Sequence, residues 1–406
     1  MRDRQNERFM RNSNRKSIAL TLRWLLGASM VVDLTAAQMQ PWPWSGNPGP
    51  GTVNILVAGD VNIQHRPDPA SAFINVRETL ARADLVYANL EGLLVKSEGP
   101  DKDIPEKKGW THLGADAVNG IKAGGIQVVG CANNVAYGRA NIMKSLAVLD
   151  AAGIPHCGAG QNIEKAHEPV IAVRKGVRIG FLQYSARWYV EDRQVATNTL
   201  PGIARILSRD GVTIDDSDFG RFLSDIRRLR TVVDIVVVCT HNRDGESPST
   251  LAGVTDPKFI PLRERDGASV RSLLAQGEPY QRVLARAAID AGADIVIGTG
   301  SHVLQGVEVY KGKAVFYCLA DFAFDWSAER NLKEGLLVRL VAEGKNLASV
   351  SFVPVSRDAN DNVLMLDPAT GEGASILKEV KDLSAGVSWN IAGKEAVLIQ
   401  KRHSSH

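Results

Sequence analysis

From residue 53 onward the chain alternates short, continuously apolar runs with longer stretches of helical periodicity. The runs are VNILVAG (53–59), LVYA (85–88), IQVVGC (126–131), VRIGFLQY (177–184), DIVVVCT (234–240), ADIVIG (293–298) and AVFYCL (314–319). Continuous rather than alternating apolarity predicts strands buried on both faces. Between them, GRANIMKSLAVLDAAG sets Ile142, Leu146 and Leu149 on one helical face and closes at Gly153, where a C-terminal cap falls. YQRVLARAAIDAG (280–292) follows the same rule. The order strand, helix, strand predicts a layered α/β fold. Past residue 333 the pattern changes. EGLLVRLVAEGKNLASVSFVPV reads as a hairpin, followed by a helix at 373–383 and a last strand, EAVLI. These elements are expected to pack on the same core, making 53–401 one domain, with 333–401 as its C-terminal part.

Charge and composition add an N-terminal segment of different character. The 406 residues are 44% hydrophobic and 23% charged, as in an ordinary globular protein. The net charge is +3, yet residues 1–32 alone carry seven Lys/Arg against Asp3 and Glu7, which leaves the rest of the chain mildly acidic. The body shows no basic run of the kind nucleic acid requires, so nucleic-acid partners are not expected. WLLGASMVV (24–32) and then DLTAAQ follow the basic stretch, fitting an export signal cleaved near Ala37 or an uncleaved N-terminal anchor over residues 1–37, in preference to a cytosolic amphipathic helix. The apolar run is short for a membrane span. QPWPWSGNPGPG (40–51) reads as a Pro/Gly linker within 38–52. Cys131, Cys157, Cys239 and Cys318 sit in or near apolar runs without CxxC spacing, as small buried hydrophobes do.

Candidate chemistry lies where the runs stop. Asp60 follows the first, Asn89 and Glu91 the second, Asn133 and Asn134 the third, His241 the fifth and His302 the sixth. The carboxyl edge of a layered α/β sheet is where ligands bind, because the loops there converge. One acid of each kind, amides and two imidazoles form a donor set suited to Mn, Fe, Zn or Mg. Taken singly, each has a plain alternative as a turn former or a satisfied polar residue. No GxxxxGK[ST] phosphate loop, no GxSxG elbow and no GxGxxG after the first strand occurs.

At these residues the chain resembles the CapA family of bacterial capsule or poly-γ-glutamate synthesis proteins. The fragments that carry the resemblance run from about 53 to 400: AGDVN, ADLVYANLEG, GIQVVGCANN, LDAAGIPHCGAG, GVRIGFLQY, IDAGADIVIG, HVLQGVEVYKGKAVFYCLADF and ILKEVKDLSAG. The resemblance implies an αββα sandwich of the calcineurin-like metallophosphoesterase type and an exported, periplasmic or cell-surface setting. It also implies one or two divalent ions held by Asp60, Glu91, Asn134, His241 and His302. His241 and His302 would then stand at the reacting centre, with Asn133, Arg243, Asp244 and Glu246 of the neighbouring loops contacting substrate. The implied partners are an anionic polymer or its precursor, capsule synthesis or export proteins, and a membrane met through the N-terminus. The chain departs from the family pattern at Val135, which stands where a histidine commonly follows the amide ligand. It departs again at Thr299 and Ser301 of the second histidine element, and at CLADF, where SLGNF is usual. A valine cannot move a proton, and general acid catalysis contributes about 100-fold to 10,000-fold. Three readings follow: an envelope protein with a residual metal site, a metal-dependent hydrolase of phosphoester or γ-glutamyl amide bonds with an acid supplied by His65 or His112, and a metal-free polymer-binding scaffold.

Overall fold

Strands and helices alternate from residue 52 to 241, as the apolar runs predict. The computed structural model describes residues 42–44, 49, 51–64, 66–107, 110–208, 210–242, 275, 277–325 and 333–399. These belong to one compact unit, Gln40–His406. The first half contains β1 (Thr52–Asn62), α1 (Arg77–Ala81), β2 (Leu85–Leu90), α2 (Ala117–Ala123), β3 (Val128–Gly130), α3 (Arg139–Ala152), β4 (His156–Cys157) and β5 (Ala159–Gly160). Next come α4 (Ile163–Ala166), β6 (Val170–Arg174), β7 (Val177–Ser185), α5 (Glu191–Gln194), β8 (Gly202–Ile203), α6 (Asp216–Arg230) and β9 (Ile235–His241). The second half contains α7 (Pro279–Ala291), β10 (Ile295–Thr299), β11 (Val307–Tyr310), β12 (Lys313–Phe316), β13 (Asp321–Phe324), β14 (Gly335–Glu343) and β15 (Asn346–Arg357). It closes with β16 (Val363–Met365), α8 (Gly371–Leu383), β17 (Trp389–Ala392) and β18 (Glu395–Leu398).

Two large sheets hold most of these strands. One runs β17-β18-β15-β14-β1-β2-β3-β4, with β13 also beside β1 and β16 beside β15. The other runs β11-β12-β10-β9-β7-β6. The expected hairpin is β14 and β15, and it extends the first sheet antiparallel to β1. β1 to β4 run parallel, as do β7, β9 and β10, so their carboxyl ends lie along common edges.

The alternating faces of β1 explain its continuous apolarity. Val53, Ile55 and Val57 share one core with Ile179 and Phe181 of β7, Val237 of β9 and Ile297 of β10, so the two sheets face each other. Leu56 and Ala58 point the other way, into a core with Phe73, Leu80, Ile121, Ile142, Leu146 and Leu149. The outer face of the second sheet, through Val236, Val238 and Val296, packs on Phe222 and Ile226 of α6 and Leu284 and Ala288 of α7. Each such aliphatic side chain contributes roughly 1.5–3 kcal/mol when fully buried. The helix ends follow glycine chemistry: α3 stops at Gly153 and α7 at Gly292, both left-handed at φ 70° and 118°.

Part of the predicted linker is docked. The Trp42 indole donates to the Lys394 carbonyl at 3.0 Å, and Arg339 lies 5.1 Å from the centre of the Trp44 ring. The segment 1–37 lies outside the described residues. Among the described residues no helix is long and apolar enough to cross a membrane.

Candidate metal centre

Asp60 is brought to the sheet edge by a local irregularity in β1. The register with β2 shifts between Ala58 and Asp60, and the register with β13 shifts between Asp60 and Val61. Gly59 permits this, since a Cβ there would lie 2.1 Å from the Ala320 carbonyl oxygen. The Asp60 carboxylate is fully buried and held from two sides. Asn89 Nδ2 donates to Oδ1 at 2.5 Å, and the Gly300 amide donates to Oδ2 at 3.1 Å. Gly300 has φ 106°, a conformation glycine adopts without strain, and this aims its N–H at the acid.

Three further groups join Asp60. One ligand atom from each of Asp60, Glu91, His302 and Asp321 lies within 4.8 Å of the others, and all four residues are buried. Both Glu91 carboxylate oxygens are buried without a hydrogen-bond partner. A bare buried carboxylate costs several kcal/mol unless a proton or a cation compensates it. His302 is left-handed at φ 60°, and its Nδ1 meets Asp321 Oδ1 at 2.8 Å. A carboxylate accepts, so Nδ1 carries a proton and Nε2 faces the cluster, 3.8 Å from Glu91 Oε1. Asp321 is itself braced by Arg357, whose guanidinium donates to the Asp321 carbonyl and stands 4.0 Å from Oδ2.

His241 and Asn134 form a separate pair beside this cluster. Asn134 Nδ2 donates to the Tyr189 hydroxyl at 3.1 Å, which turns Oδ1 toward His241 Nε2 at 2.8 Å. A carbonyl oxygen only accepts, so Nε2 holds the proton and Nδ1 accepts from Asn89 Nδ2 at 3.2 Å, with Thr299 Oγ1 also 3.2 Å away. Thr299 hydrogen-bonds the Asp60 carboxylate and also lies beside this imidazole. Asn89 is set in turn by Gln183, which donates to Asn89 Oδ1 at 2.6 Å and accepts from the Ala132 amide at 2.8 Å.

Burial dominates the electrostatics. It raises Asp60 to about 7, reinforced by the charge of Asp321 and opposed by the bond from Asn89. Glu91 is pushed well above the ordinary carboxylate range by burial, then by Asp60. His241 is driven well below its usual value by burial, then by Arg187, His302 and Lys107. It is therefore neutral, and its 3.8 Å approach to Asp60 Oδ1 is no ion pair.

The remaining candidates fare differently. The Asn133 amide is engaged with backbone, donating to the Leu90 carbonyl at 2.7 Å and accepting from the Ala136 amide at 3.1 Å, which shapes the loop. Val135 is fully buried among Ile104, Trp110, Tyr137, Tyr189 and Phe324. The His112 ring is buried without hydrogen-bond partners, and the charges acting on it are Asp103 and Glu98, not the centre. His65, Arg243, Asp244 and Glu246 lie outside the described residues. Asp321 is the group the ligand set derived from the family resemblance lacks. Its signal was present: an acid just past the apolar run AVFYCL, as Asp60 is past VNILVAG.

Comparison with known proteins agrees with the sequence resemblance. A family model described as bacterial capsule synthesis protein PGA_cap matches residues 54–250 and 274–326. It ends well before residue 400, where the shared fragments run out. Capsule biosynthesis protein CapA of Bacillus anthracis is 26% identical over 326 residues, covering 78% of this chain and 69% of that protein. An uncharacterized protein, y4sH, of Sinorhizobium fredii is 24% identical over 310 residues, covering 67% of this chain and 65% of that protein. PGA biosynthesis protein CapA of Bacillus subtilis is 53% identical over a short stretch of 53 residues, 13% of this chain and 14% of that one. The chain thus spans about two thirds of the length of the first two relatives, which it matches over 69% and 65%.

Proposed function

The chain belongs to the bacterial capsule synthesis family PGA_cap, and from that membership we propose that it serves the making of a capsular or poly-γ-glutamate polymer at the cell envelope, through a metal centre in a calcineurin-like αββα domain. The facing sheets with helices packed on both outer faces support the layering. The relatives named for capsule and PGA biosynthesis support the setting.

One observation carries the metal reading: Glu91 presents two buried, unpartnered oxygens inside a cluster of two more carboxylates and an imidazole whose Nε2 faces them. Three hard oxygen donors with one imidazole suit Mn, Fe, Zn or Mg. A divalent ion there would supply Lewis-acid polarisation of an electronegative substrate atom. Around it the chain's own residues orient and exclude water: Asn89 and Gly300 fix Asp60, Asp321 fixes His302, and Val135 seals an apolar wall.

Hydrolysis of phosphoester or γ-glutamyl amide bonds is the second reading, favoured by the intact carboxylate cluster and opposed by the missing proton donor at Val135. A metal-free scaffold is opposed by Glu91. The test is elemental analysis of protein purified without added metal and without a His tag. Near-stoichiometric metal in the parent, reduced in Glu91→Gln and in His302→Ala, is expected. Equal metal in all three, or none even on titration, refutes the centre.

A further inference from the structure

Two cations stand within electrostatic range of the centre, held by different structural supports. Arg187 follows β7 in a loop tied to β9, where the Ala186 amide donates to the His241 carbonyl at 2.9 Å and the Arg187 amide meets Ser185 Oγ at 3.1 Å. Its Nη1 lies 3.4 Å from the carbonyl of Gly300, the residue whose amide holds Asp60. Lys107 belongs to the loop before α2. Its ammonium sits 3.9 Å over the Trp110 ring, Trp110 packs on Phe324 at 6.4 Å between ring centres, and Phe324 packs edge-on to His302 at 5.1 Å. Arg187 is 9% exposed, within the wall rather than on the open surface. Both side chains act on Glu91 and on His241, so each lies within electrostatic range of both halves of the centre.

We propose that Lys107 and Arg187 recognise an oxyanion, phosphate or carboxylate, on the ligand bound at the metal centre. This deepens the metal reading above by assigning the substrate class. With a divalent ion set among the carboxylates of Asp60, Glu91 and Asp321, their charges largely offset, and the two cations leave the region attractive to anions. A guanidinium carries five N–H donors and an ammonium three, so each can keep its present contacts and still donate to an oxyanion. Arginine presents its donors as a planar fork matched to two oxygens of a carboxylate or phosphate. A plainly structural Arg187, tying the β7 loop to the Gly300 turn, would place no requirement on Lys107.

The experiment titrates the metal-loaded full-length protein with inorganic phosphate and, in a parallel arm, with γ-glutamylglutamate, following binding by calorimetry. Parent, Arg187→Gln, Arg187→Lys and Lys107→Gln are compared, with metal content and melting temperature measured on each. Expected is a loss of about tenfold or more in affinity for one probe in both Gln variants, as for a lost charge-assisted bond, with metal content unchanged and partial recovery in Arg187→Lys. Phosphate responding alone identifies a phosphoryl ligand; the dipeptide alone identifies a carboxylate. Unchanged affinity in both Gln variants, or no binding of either probe by the parent, overturns the proposal. If Arg187→Gln fails to fold, Lys107→Gln decides. A parent that takes up no metal overturns the metal reading alone, and the same titration of the metal-free chain still decides the role of the two cations.

Discussion

Removing metal should make this protein's stability depend on pH in the opposite sense to an ordinary acid-labile protein. Asp60 is fully buried and its folded-state value is raised from 3.8 to about 7. Between those values the unfolded chain's carboxyl is ionised while the folded one keeps its proton, so folding takes up a proton and stability falls as pH rises. The proton-linked contribution is fully present below 3.8 and lost by about pH 7. At 1.36 kcal/mol per unit, the three-unit shift corresponds to about 4 kcal/mol, of which roughly 2.3 kcal/mol lies between pH 5 and 7, the folded carboxyl being half ionised at the upper end. Glu91 is displaced in the same direction and adds to the slope. A divalent ion replaces those protons and stabilises by about 2.7 kcal/mol at a hundredfold excess over its Kd, increasingly so at higher pH. The assay is denaturant unfolding at pH 5 and 7.5, with chelator and with Mn²⁺ or Zn²⁺. Chelated protein equally stable at both pH values, or no metal increment at pH 7.5, would refute the reasoning.

Glu91→Gln replaces a carboxyl that burial keeps protonated, without breaking any hydrogen bond, so the chelated variant should gain stability over the parent as pH rises from 5 to 8 in denaturant melts; a loss would show that Glu91 has a protein partner. Asp321→Asn keeps an acceptor for His302 Nδ1 and Asp321→Ala removes it, so metal affinity by competition titration should fall in both and about 10–100-fold further in the alanine variant. Equal affinities would mean that Asp321 does not orient the ring. Val135→His should lower stability by about 1–3 kcal/mol through overpacking among Trp110, Tyr189 and Phe324, without conferring phosphodiesterase activity. A stable, newly active variant would show that the wall is adjustable. Elemental analysis should find one ion per chain, still present in His241→Gln; two ions in the parent and one in that variant would refute a single-ion centre.

The strands were legible because both faces of each are buried, which turns the usual alternation of β1, β9 and β10 into continuous apolar runs. α6 and β6 escape that reading for different reasons. α6 carries Phe222, Ile226 and Leu229 at helical spacing within a highly charged stretch, and β6 is an edge strand with Ile171 and Val173 exposed. Asp60, Glu91 and His302 were legible as polar stops at strand ends. Their separation from Asn134 and His241 was not, because it depends on which ring nitrogen faces which amide. Arg187 and Gln183 sit within or just past a strand like the candidates, but their roles come from cross-sheet contacts with Gly300 and Asn89 that no local pattern records.

That separation bears on how many ions the site accommodates. For His241 Nε2 to ligate, its proton must move to Nδ1, which now accepts from Asn89 Nδ2 and lies 3.2 Å from Thr299 Oγ1. Thr299 Oγ1 can accept, but an amide nitrogen cannot, and Asn89 is not free to flip. Its oxygen already accepts from Gln183, and its nitrogen also holds Asp60. Flipping it would set two donors against each other at Gln183 and two acceptors at Asp60. The 2.8 Å contact between His241 and Asn134 must also open. A second ion therefore requires at least two buried hydrogen bonds to break, at about 1–3 kcal/mol for each group left unsatisfied. At the Asp60, Glu91, His302 and Asp321 cluster the ion takes the place of the protons that burial holds on Asp60 and Glu91, and no hydrogen bond to the Glu91 carboxylate has to break. Asn89 thus acts through tautomer control: with its Nδ2 fixed on Nδ1, His241 is held as a neutral donor to Asn134 rather than as a ligand.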